Sequence, residues 1–163
     1  MIPQAYITEW SKQVPWQTNE QVEQDLVICR ALVEIFSDEL LAKSLAFRGG
    51  TALHKLYLNP QPRYSEDIDL VQINAEPFGP LVDRIRERLA FLGEPTRKQK
   101  ENNFTLHYRF ESEFPPIQKL RLKVETNCRE HFAVLGYQKF PFQVNSSWFK
   151  GACNITTYPL EEL

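Results

Sequence analysis

The sequence predicts an α+β domain, because segments with two different apolar periods share one chain. Apolar residues recur at helical spacing over residues 18–37 and 81–92, and they alternate with polar residues over 104–110 and 120–124. A chain of 163 residues, of which 42% are hydrophobic and 25% charged, is long enough to bury one core. We therefore expect a single folded domain over residues 1–163.

The longest predicted helix begins after Thr18, which fits a capping box with Gln21 and precedes an apolar stripe that runs to residue 37. The helix over residues 81–92 is expected to end at Gly93, since glycine adopts the left-handed conformation that closes many helices. Each helix thus offers one apolar face to the core.

A short helix is predicted after the glycine pair at residues 49–50. Its apolar face carries Ala52, Leu53, Leu56 and Tyr57. His54 and Lys55 fall on the opposite, polar face. Asn59 and Pro60 end the helix, because proline removes a backbone donor.

The alternating segments predict strands. Residues 104–110 and 120–124 each keep one polar face and are separated by a turn at Pro115 and Pro116, so we expect an antiparallel pair. Further strands are predicted over residues 68–73, 140–144 and 154–157, and a helix start over residues 157–163.

Composition narrows the class of protein. A net charge of −2 gives no overall basic character of the kind that marks many nucleic-acid-binding domains. Cys29, Cys128 and Cys153 form no C-x-x-C pattern, which argues against a disulfide framework and a zinc site. The N-terminus has no leader-like pattern, and no apolar stretch is long enough to span a bilayer, so we expect a cytoplasmic protein without membrane contact.

Two aspartates mark the start of the strand predicted over residues 68–73. Side chains alternate along a strand, so Asp67 and Asp69 project to one side while Ile68 and Leu70 point into the core. Paired carboxylates are suited to a divalent cation. The pattern therefore predicts a metal site on one face of this strand.

A phosphate site is predicted where the sequence Arg-Gly-Gly-Thr opens the short helix. The first N–H groups of a helix lack partners within it and lie at the positive end of its dipole, which suits an anion. The candidate nucleotide-binding residues at and around this point are Arg48, Gly49, Gly50, Thr51, Arg63 and Ser65.

Lys123 and Glu125 share the polar face of the strand predicted over residues 120–124. If this strand lies beside the one that carries Asp67 and Asp69, Glu125 completes the metal site and Lys123 contacts a phosphate as a point charge. Nucleotidyl transfer from a nucleoside triphosphate needs such carboxylates and a divalent metal. Asp67, Asp69, Lys123 and Glu125 are therefore the candidate catalytic residues.

Each motif also has a simpler interpretation. Glycine pairs are common in loops between helices, and acidic residues on an edge strand discourage aggregation. Lys123 and Glu125 also fit a solvated strand face. The occurrence of all three motifs in this order favours nucleotide chemistry.

Together these motifs resemble the AbiEii-type nucleotidyltransferases, toxins of bacterial abortive-infection and toxin–antitoxin systems within the DNA polymerase β-like superfamily. Residues 47–53, Phe-Arg-Gly-Gly-Thr-Ala-Leu, look like the glycine motif of that family. Residues 63–70, Arg-Tyr-Ser-Glu-Asp-Ile-Asp-Leu, look like its metal-binding motif, and residues 123–125, Lys-Val-Glu, like its third motif.

The resemblance implies a mixed sheet flanked by helices, with Mg²⁺ or Mn²⁺ at Asp67 and Asp69 and the triphosphate at Gly50 and Thr51. It also implies a nucleoside triphosphate substrate, an RNA acceptor such as tRNA, or else a protein acceptor, and a cognate antitoxin. Members of the family continue into a C-terminal helical region, so we expect residues 1–163 to correspond to the catalytic half.

Two other functions use the same residues. A degenerate nucleotidyltransferase would bind a nucleotide or a partner protein without turnover. A metal-dependent phosphohydrolase would use the same carboxylates to release phosphate.

The remaining polar and aromatic clusters have structural interpretations. His54, His107 and His131 lack the spacing of zinc ligands. The charges at residues 97–100 are expected on a loop and those of Arg84, Arg86 and Arg88 on a solvated helix face, from which they can still touch an RNA acceptor. We expect core or interface positions for Trp10, Trp16 and Trp148.

Overall fold

The computed structural model describes residues 1–58, 60–128 and 136–163. Its helices are α1 (Gln4–Ser11), α2 (Asn19–Phe36), α3 (Glu39–Ser44), α4 (Gly49–Ala52) and α5 (Gly79–Arg88), with a π-helical turn at Leu53–Tyr57 and 3₁₀ turns at Ala90–Leu92 and Leu160–Glu162. Its strands are β1 (Leu45–Phe47), β2 (Asp67–Gln72), β3 (Thr96–Lys100), β4 (Asn103–Glu111), β5 (Lys119–Asn127), β6 (Gln138–Asn145) and β7 (Lys150–Thr157).

Within these described ranges, seven strands form one sheet in the order β3-β4-β5-β2-β1-β7-β6. The pairs β2–β5 and β1–β7 are parallel, whereas the other neighbours are antiparallel. The expected mixed sheet flanked by helices is therefore confirmed.

The main hydrophobic core lies between the helices and one face of the sheet. Ile68 of β2 and Leu122 of β5 are fully buried there, in one cluster with Leu32 of α2 and Val82 of α5. Because side chains alternate along a strand, the opposite face of β4, β5 and β2 carries their charged residues. In the described residues, no helix is long and apolar enough to cross a membrane.

Several predicted elements are confirmed with small shifts in their bounds. The N–H of Gln21 donates to the hydroxyl of Thr18 at 3.2 Å, and α2 ends at Phe36. β4 and β5 pair in antiparallel fashion with one polar face each. Trp10 is buried, and Trp16 and Trp148 pack against the core.

The sequence did not predict α1, α3, β1 or β3. β1 has three residues, all of them buried, which is too short a run for any period to be visible. The loop expected for residues 97–100 is wrong, since these residues form the edge strand β3. All five residues of β3 are exposed, so no apolar alternation marks it.

Two helix predictions need correction at their ends. The helix expected over residues 81–92 is α5 followed by a separate 3₁₀ turn, and Gly93 closes that turn with a φ of +81°. In the segment 157–163, Thr157 belongs to β7 and the helical part is a 3₁₀ turn at Leu160–Glu162. Asn59, which was expected to help end the short helix, lies outside the described residues.

A buried carboxylate joins α3 to α5. Asp38 accepts hydrogen bonds from the Leu41 N–H at 3.1 Å, Arg84 Nη1 at 2.9 Å and Arg88 Nε at 3.0 Å. Arg84 and Arg88 remain 43% and 40% exposed, as expected for a solvated helix face, but they are ion-paired with Asp38, and Arg86 likewise pairs with Glu94. Burial acts to raise the pKa of Asp38, but these donors outweigh it and hold the pKa below its ordinary value.

The substitution Asp38→Asn should lower the free energy of unfolding by roughly 2 kcal/mol at pH 7, because the charge that Arg84 and Arg88 pair with is lost. Since the pKa of Asp38 is lower in the folded protein, its stabilisation is present above the ordinary value of 3.8 and is lost as the pH falls through the folded pKa. Urea denaturation of both proteins across this range measures the difference.

The matched control is Asp83→Asn, which makes the same change at an exposed position of α5. It should change the free energy of unfolding by less than about 0.5 kcal/mol. A loss in Asp38→Asn that persists unchanged below the folded pKa would contradict the assignment.

Candidate active site

The two aspartates of β2 lie side by side on the polar face of the sheet. Ile68 and Leu70 between and after them are buried, whereas the side chain of Asp67 is 37% exposed and Asp69 is partly buried. The predicted alternation is thus confirmed. Both carboxylates face the side of the sheet that the main core leaves open.

β5 brings Lys123 and Glu125 to these aspartates. In the parallel register, Asp67 lies opposite Lys123 and Asp69 opposite Glu125. Lys123 Nζ lies 4.0 Å from Asp67 Oδ2 and 3.7 Å from Glu125 Oε2. β2 and β5 are therefore neighbours, as the prediction for Lys123 and Glu125 required, and Lys123 lies between two carboxylates.

β1 brings the glycine pair to the other side of β2. Phe47 lies opposite Leu70 in the antiparallel register, and the Arg48 N–H donates to the Asp69 carbonyl at 2.9 Å. Gly49 follows with a φ of +80°, and a Cβ there would lie 3.5 Å from Asp69 Oδ2. A Cβ could be accommodated at that distance, so it is the left-handed turn that favours glycine at this position.

A hydroxyl pair links the glycine motif to the segment before β2. Thr51 Oγ1 and Ser65 Oγ are 2.8 Å apart. Ser65 Oγ also accepts from the Asp67 N–H at 3.3 Å. The start of β2 is in this way connected to the short helix.

A cavity of about 230 Å³ opens between these elements. It is lined by Gly50, Thr51, His54, Arg63, Tyr64, Ser65 and Asp69. The structure thus brings together most of the predicted nucleotide-binding residues, and it adds His54 and Tyr64, which sequence reasoning did not assign to the site. The Tyr64 hydroxyl is held from behind by Gln24 of α2.

The site concentrates negative charge. Burial raises the pKa of Asp69, and the carboxylates of Asp67 and Glu125 raise it further, against the opposing effects of Lys123 and Arg48. Neighbouring carboxylates repel each other unless a cation compensates their charge. A divalent ion would supply that compensation.

The family comparison bears directly on these motifs. The family described as nucleotidyl transferase AbiEii toxin of type IV toxin–antitoxin systems matches residues 30–163. The chain belongs to the AbiEii family. The matched range includes the glycine motif, both aspartates of β2, and Lys123 and Glu125 of β5. Among curated proteins, none matches the chain.

Solved structures with the same fold include three bacterial proteins. JHP933 of Helicobacter pylori is 15% identical with a TM-score of 0.57, and the match covers 90% of this chain and 55% of JHP933. An H. pylori protein described as a nucleotidyltransferase is 17% identical with a TM-score of 0.59, and the match covers 89% of this chain and 56% of that protein. MenT4, a nucleotidyltransferase toxin of Mycobacterium tuberculosis, is 12% identical with a TM-score of 0.55, and the match covers 98% of this chain and 55% of MenT4. At these identities the likeness concerns the fold, and this AbiEii chain spans little more than half of each relative.

The donor set of this AbiEii domain fits a hard divalent cation. In the part of the chain that the structure describes, no three His, Cys, Asp or Glu side chains already converge as ligands. Mg²⁺ is commonly held by one or two carboxylates, with water and substrate phosphates completing its shell. Asp67 and Asp69 meet that requirement, and Glu125, paired with Lys123, lies one strand away.

The helix at the glycine motif is shorter than the sequence indicated. α4 has four residues, continues as a π-helical turn, and has no side-chain cap. A dipole summed over so few peptides is small. Recognition of a phosphate would therefore depend on the uncapped N–H groups and on the hydroxyls of Thr51 and Ser65.

Lys55 does not lie on a solvated face, which corrects the prediction. Lys55 Nζ donates to Asp25 Oδ1 of α2 at 2.9 Å, and both side chains are only 5% exposed. Trp10 Nε1 donates to the other carboxylate oxygen at 2.9 Å. Burial opposes the charged form, but Cys29 and Asp25 outweigh it and raise the pKa of Lys55. This ion pair ties the helix of the glycine motif to α2.

A sequence signal for this pair was present. Asp25 lies within the apolar stripe of α2, which includes Val22, Leu26 and Cys29. An acidic residue within a buried stripe requires a cationic or hydrogen-bonding partner. The identity of that partner depends on how the helices pack, which the local sequence does not specify.

The substitution Gly49→Ala should lower the free energy of unfolding by about 1–2 kcal/mol, because alanine is strained at positive φ. Gly50→Ala is the matched control: Gly50 is helical, and a Cβ there meets nothing within 4 Å. That variant should be neutral or slightly more stable. Equal losses in the two variants, measured by urea denaturation, would refute the role of the left-handed turn.

The substitution Lys55→Met should lower the free energy of unfolding by about 3–5 kcal/mol, because it leaves the Asp25 carboxylate buried without its cation. The double variant Lys55→Met/Asp25→Asn should recover part of this loss, since no buried charge then remains. Lys43→Met, at an exposed position of α3, serves as control and should change stability by less than about 0.5 kcal/mol. Urea denaturation of the four proteins tests the pair, and a loss in Lys55→Met no larger than in Lys43→Met would contradict it.

Proposed function

We propose that this AbiEii domain transfers a nucleotide from a nucleoside triphosphate to an acceptor, RNA such as tRNA or a protein, with Mg²⁺ or Mn²⁺ as cofactor. The observation that carries the proposal is the position of Asp67 and Asp69 between the glycine motif that follows β1 and the Lys123–Glu125 pair on β5. In this proposal the protein acts in the cytoplasm as the toxin of a toxin–antitoxin pair and has a cognate antitoxin, as its family suggests.

Asp67 and Asp69 are the residues that would hold the metal. A divalent ion there would neutralise charge on the triphosphate and activate the acceptor oxygen, which bonds to the α-phosphate as the α–β phosphoanhydride bond breaks and pyrophosphate leaves. Their shared face and their mutual repulsion both favour this role.

The cavity beside α4 is suited to the triphosphate. The uncapped N–H groups at Gly50 and Thr51 can donate to phosphate oxygens, and the guanidinium of Arg63 can pair with them. Ser65 orients Thr51 through their hydroxyl contact. Arg48 lies close enough to Asp69 to act to lower its pKa, so its guanidinium can also contact the phosphates of a triphosphate bound in this cavity.

The pair on β5 is suited to the reacting groups on the other side of the aspartates. Lys123 can offset negative charge that develops on the transferred phosphate. Glu125 can complete the metal site or accept the proton of the attacking hydroxyl. Both side chains are partly exposed, at 30% and 37%, and thus accessible to a substrate.

The substitution Asp69→Asn should reduce nucleotide transfer at least 100-fold, since removal of a metal-binding carboxylate forfeits several kcal/mol of transition-state stabilisation. Transfer of labelled nucleotide to a pool of bacterial RNA and protein, measured with each of the four ribonucleoside triphosphates, provides the readout. Asp83→Asn should retain full activity. Unchanged transfer by Asp69→Asn would eliminate the metal mechanism.

Product analysis separates the proposal from its alternatives. Release of free phosphate without a labelled acceptor would indicate a phosphohydrolase. Binding of nucleotide and Mg²⁺ in calorimetric titration, without any product, would indicate a degenerate binding module.

A further inference from the structure

An open basic surface lies on the sheet beside the candidate active site. In the register of the strands, Lys98 of β3 lies opposite Thr105 of β4, and Arg109 of β4 lies opposite Arg121 of β5. Residues that face each other in paired strands point to the same side of a sheet. The cations on this side, here called the basic face, are Lys98, Lys100, Arg109, Lys119, Arg121 and Lys123.

The basic face is continuous with the two aspartates. His107 of β4 lies opposite Lys123 of β5, which in turn lies opposite Asp67 of β2. The nucleotide cavity lies on the other side of β2, against α4. A molecule bound on the basic face would therefore reach Asp67 and Asp69 from the side opposite the triphosphate.

On this side of the sheet, within the described residues, six cations face four carboxylates once Asp67 and Asp69 of β2 are counted, and the excess of positive charge lies on β3 and β5. Six cations share this side of β3, β4 and β5 with two carboxylates, Glu111 and Glu125, whereas the whole chain has a net charge of −2. Arg121 lies 3.5 Å from Glu66. In these same ranges, Lys98, Lys100 and Arg109 have no carboxylate at ion-pair distance.

Four cations of the basic face lie around His107. It lies in the middle of the basic face, and burial together with Lys98, Arg109, Lys123 and Arg121 lowers its pKa. Four separate cations thus disfavour a further positive charge at this point. The same field attracts an anion.

The chemistry of the basic face favours nucleic acid over protein. Protein interfaces have cores enriched in aromatic residues and depleted in lysine, whereas nucleic-acid interfaces are strongly positive and polar. Apart from His107, the uncharged residues on this side are also polar, namely Thr96, Asn103, Thr105 and Asn127. Lysine and arginine on adjacent strands provide several donors for successive phosphates.

We propose that the basic face binds the phosphate backbone of an RNA acceptor and leads its reactive group to Asp67 and Asp69. This inference rests on the proposed nucleotide transfer and decides between its two acceptors in favour of RNA. It assigns the two substrates to opposite sides of β2, the triphosphate to the α4 side and the RNA to the β5 side.

The test compares two double variants with the same change in net charge. Lys98→Gln/Arg109→Gln removes two cations from the basic face, and neither residue belongs to the candidate catalytic set. Lys12→Gln/Arg97→Gln is the control: Lys12 follows α1, and Arg97 stacks on Phe104 on the other side of the sheet. A fluorescein-labelled hairpin RNA with a single-stranded 3′ end is titrated at several salt concentrations and followed by fluorescence anisotropy.

The variant of the basic face, Lys98→Gln/Arg109→Gln, should bind the RNA about tenfold more weakly than wild type. The slope of log affinity against log salt concentration should become shallower by roughly 1.4, or about 0.7 for each lost phosphate contact. The control should match wild type. Equal weakening in the two variants, or none in the face variant, would overturn the proposal. Binding of polyglutamate but not of the RNA would overturn it in favour of an acidic protein.

Titration of the nucleoside triphosphate with Mg²⁺ into the same proteins keeps the two hypotheses apart. Both variants should bind the nucleotide as wild type does, because the substitutions lie outside the cavity. If wild type binds no nucleotide but the RNA binds more weakly to Lys98→Gln/Arg109→Gln than to the control, the proposal of nucleotide transfer is wrong and the proposal of an RNA-binding surface is supported. If wild type binds the nucleotide but Lys98→Gln/Arg109→Gln binds the RNA as tightly as wild type does, only the proposal for the RNA-binding surface is wrong.

Discussion

The parallel pairing of β2 with β5 is the constraint on which the candidate site depends. Its register sets Asp67 against Lys123 and Asp69 against Glu125. Burial of the intervening Ile68 and Val124 against the helices enforces this register. A slip of one residue along either strand would turn that strand's polar residues into the core and its apolar residues to solvent. The energy of core packing is therefore also what aligns the four charged groups.

The neighbour of β2 on its other side has a different role. β1 is short and fully buried, and it ends where the Arg48 N–H meets the Asp69 carbonyl. This contact places the left-handed turn at Gly49 within reach of a carboxylate. The π-helical turn that follows is held from behind by the Lys55–Asp25 pair. A brief and poorly capped helix thus has a defined position because its surroundings fix it at both ends.

Local patterns in the sequence were sufficient for much of this arrangement. The alternation around Asp67 and Asp69, and that around Lys123 and Glu125, specifies the exposed side of each strand. Sequence reasoning missed features that depend on distant partners: the Lys55–Asp25 pair spans 30 positions, and Arg88 reaches Asp38 across 50. It also missed β3, because an edge strand exposed throughout has no apolar period. Neither kind of feature leaves a signal within a short window.

The placement of the main core on a single side of the sheet has an evolutionary consequence. Side chains on the open side of β3, β4 and β5 add little to the packing of the interior, so substitutions there cost little stability. Selection can therefore alter what the surface recognises while Ile68, Leu122 and Val124 maintain the scaffold. The residues of this face can therefore change from one related protein to another while the interior of the fold stays the same.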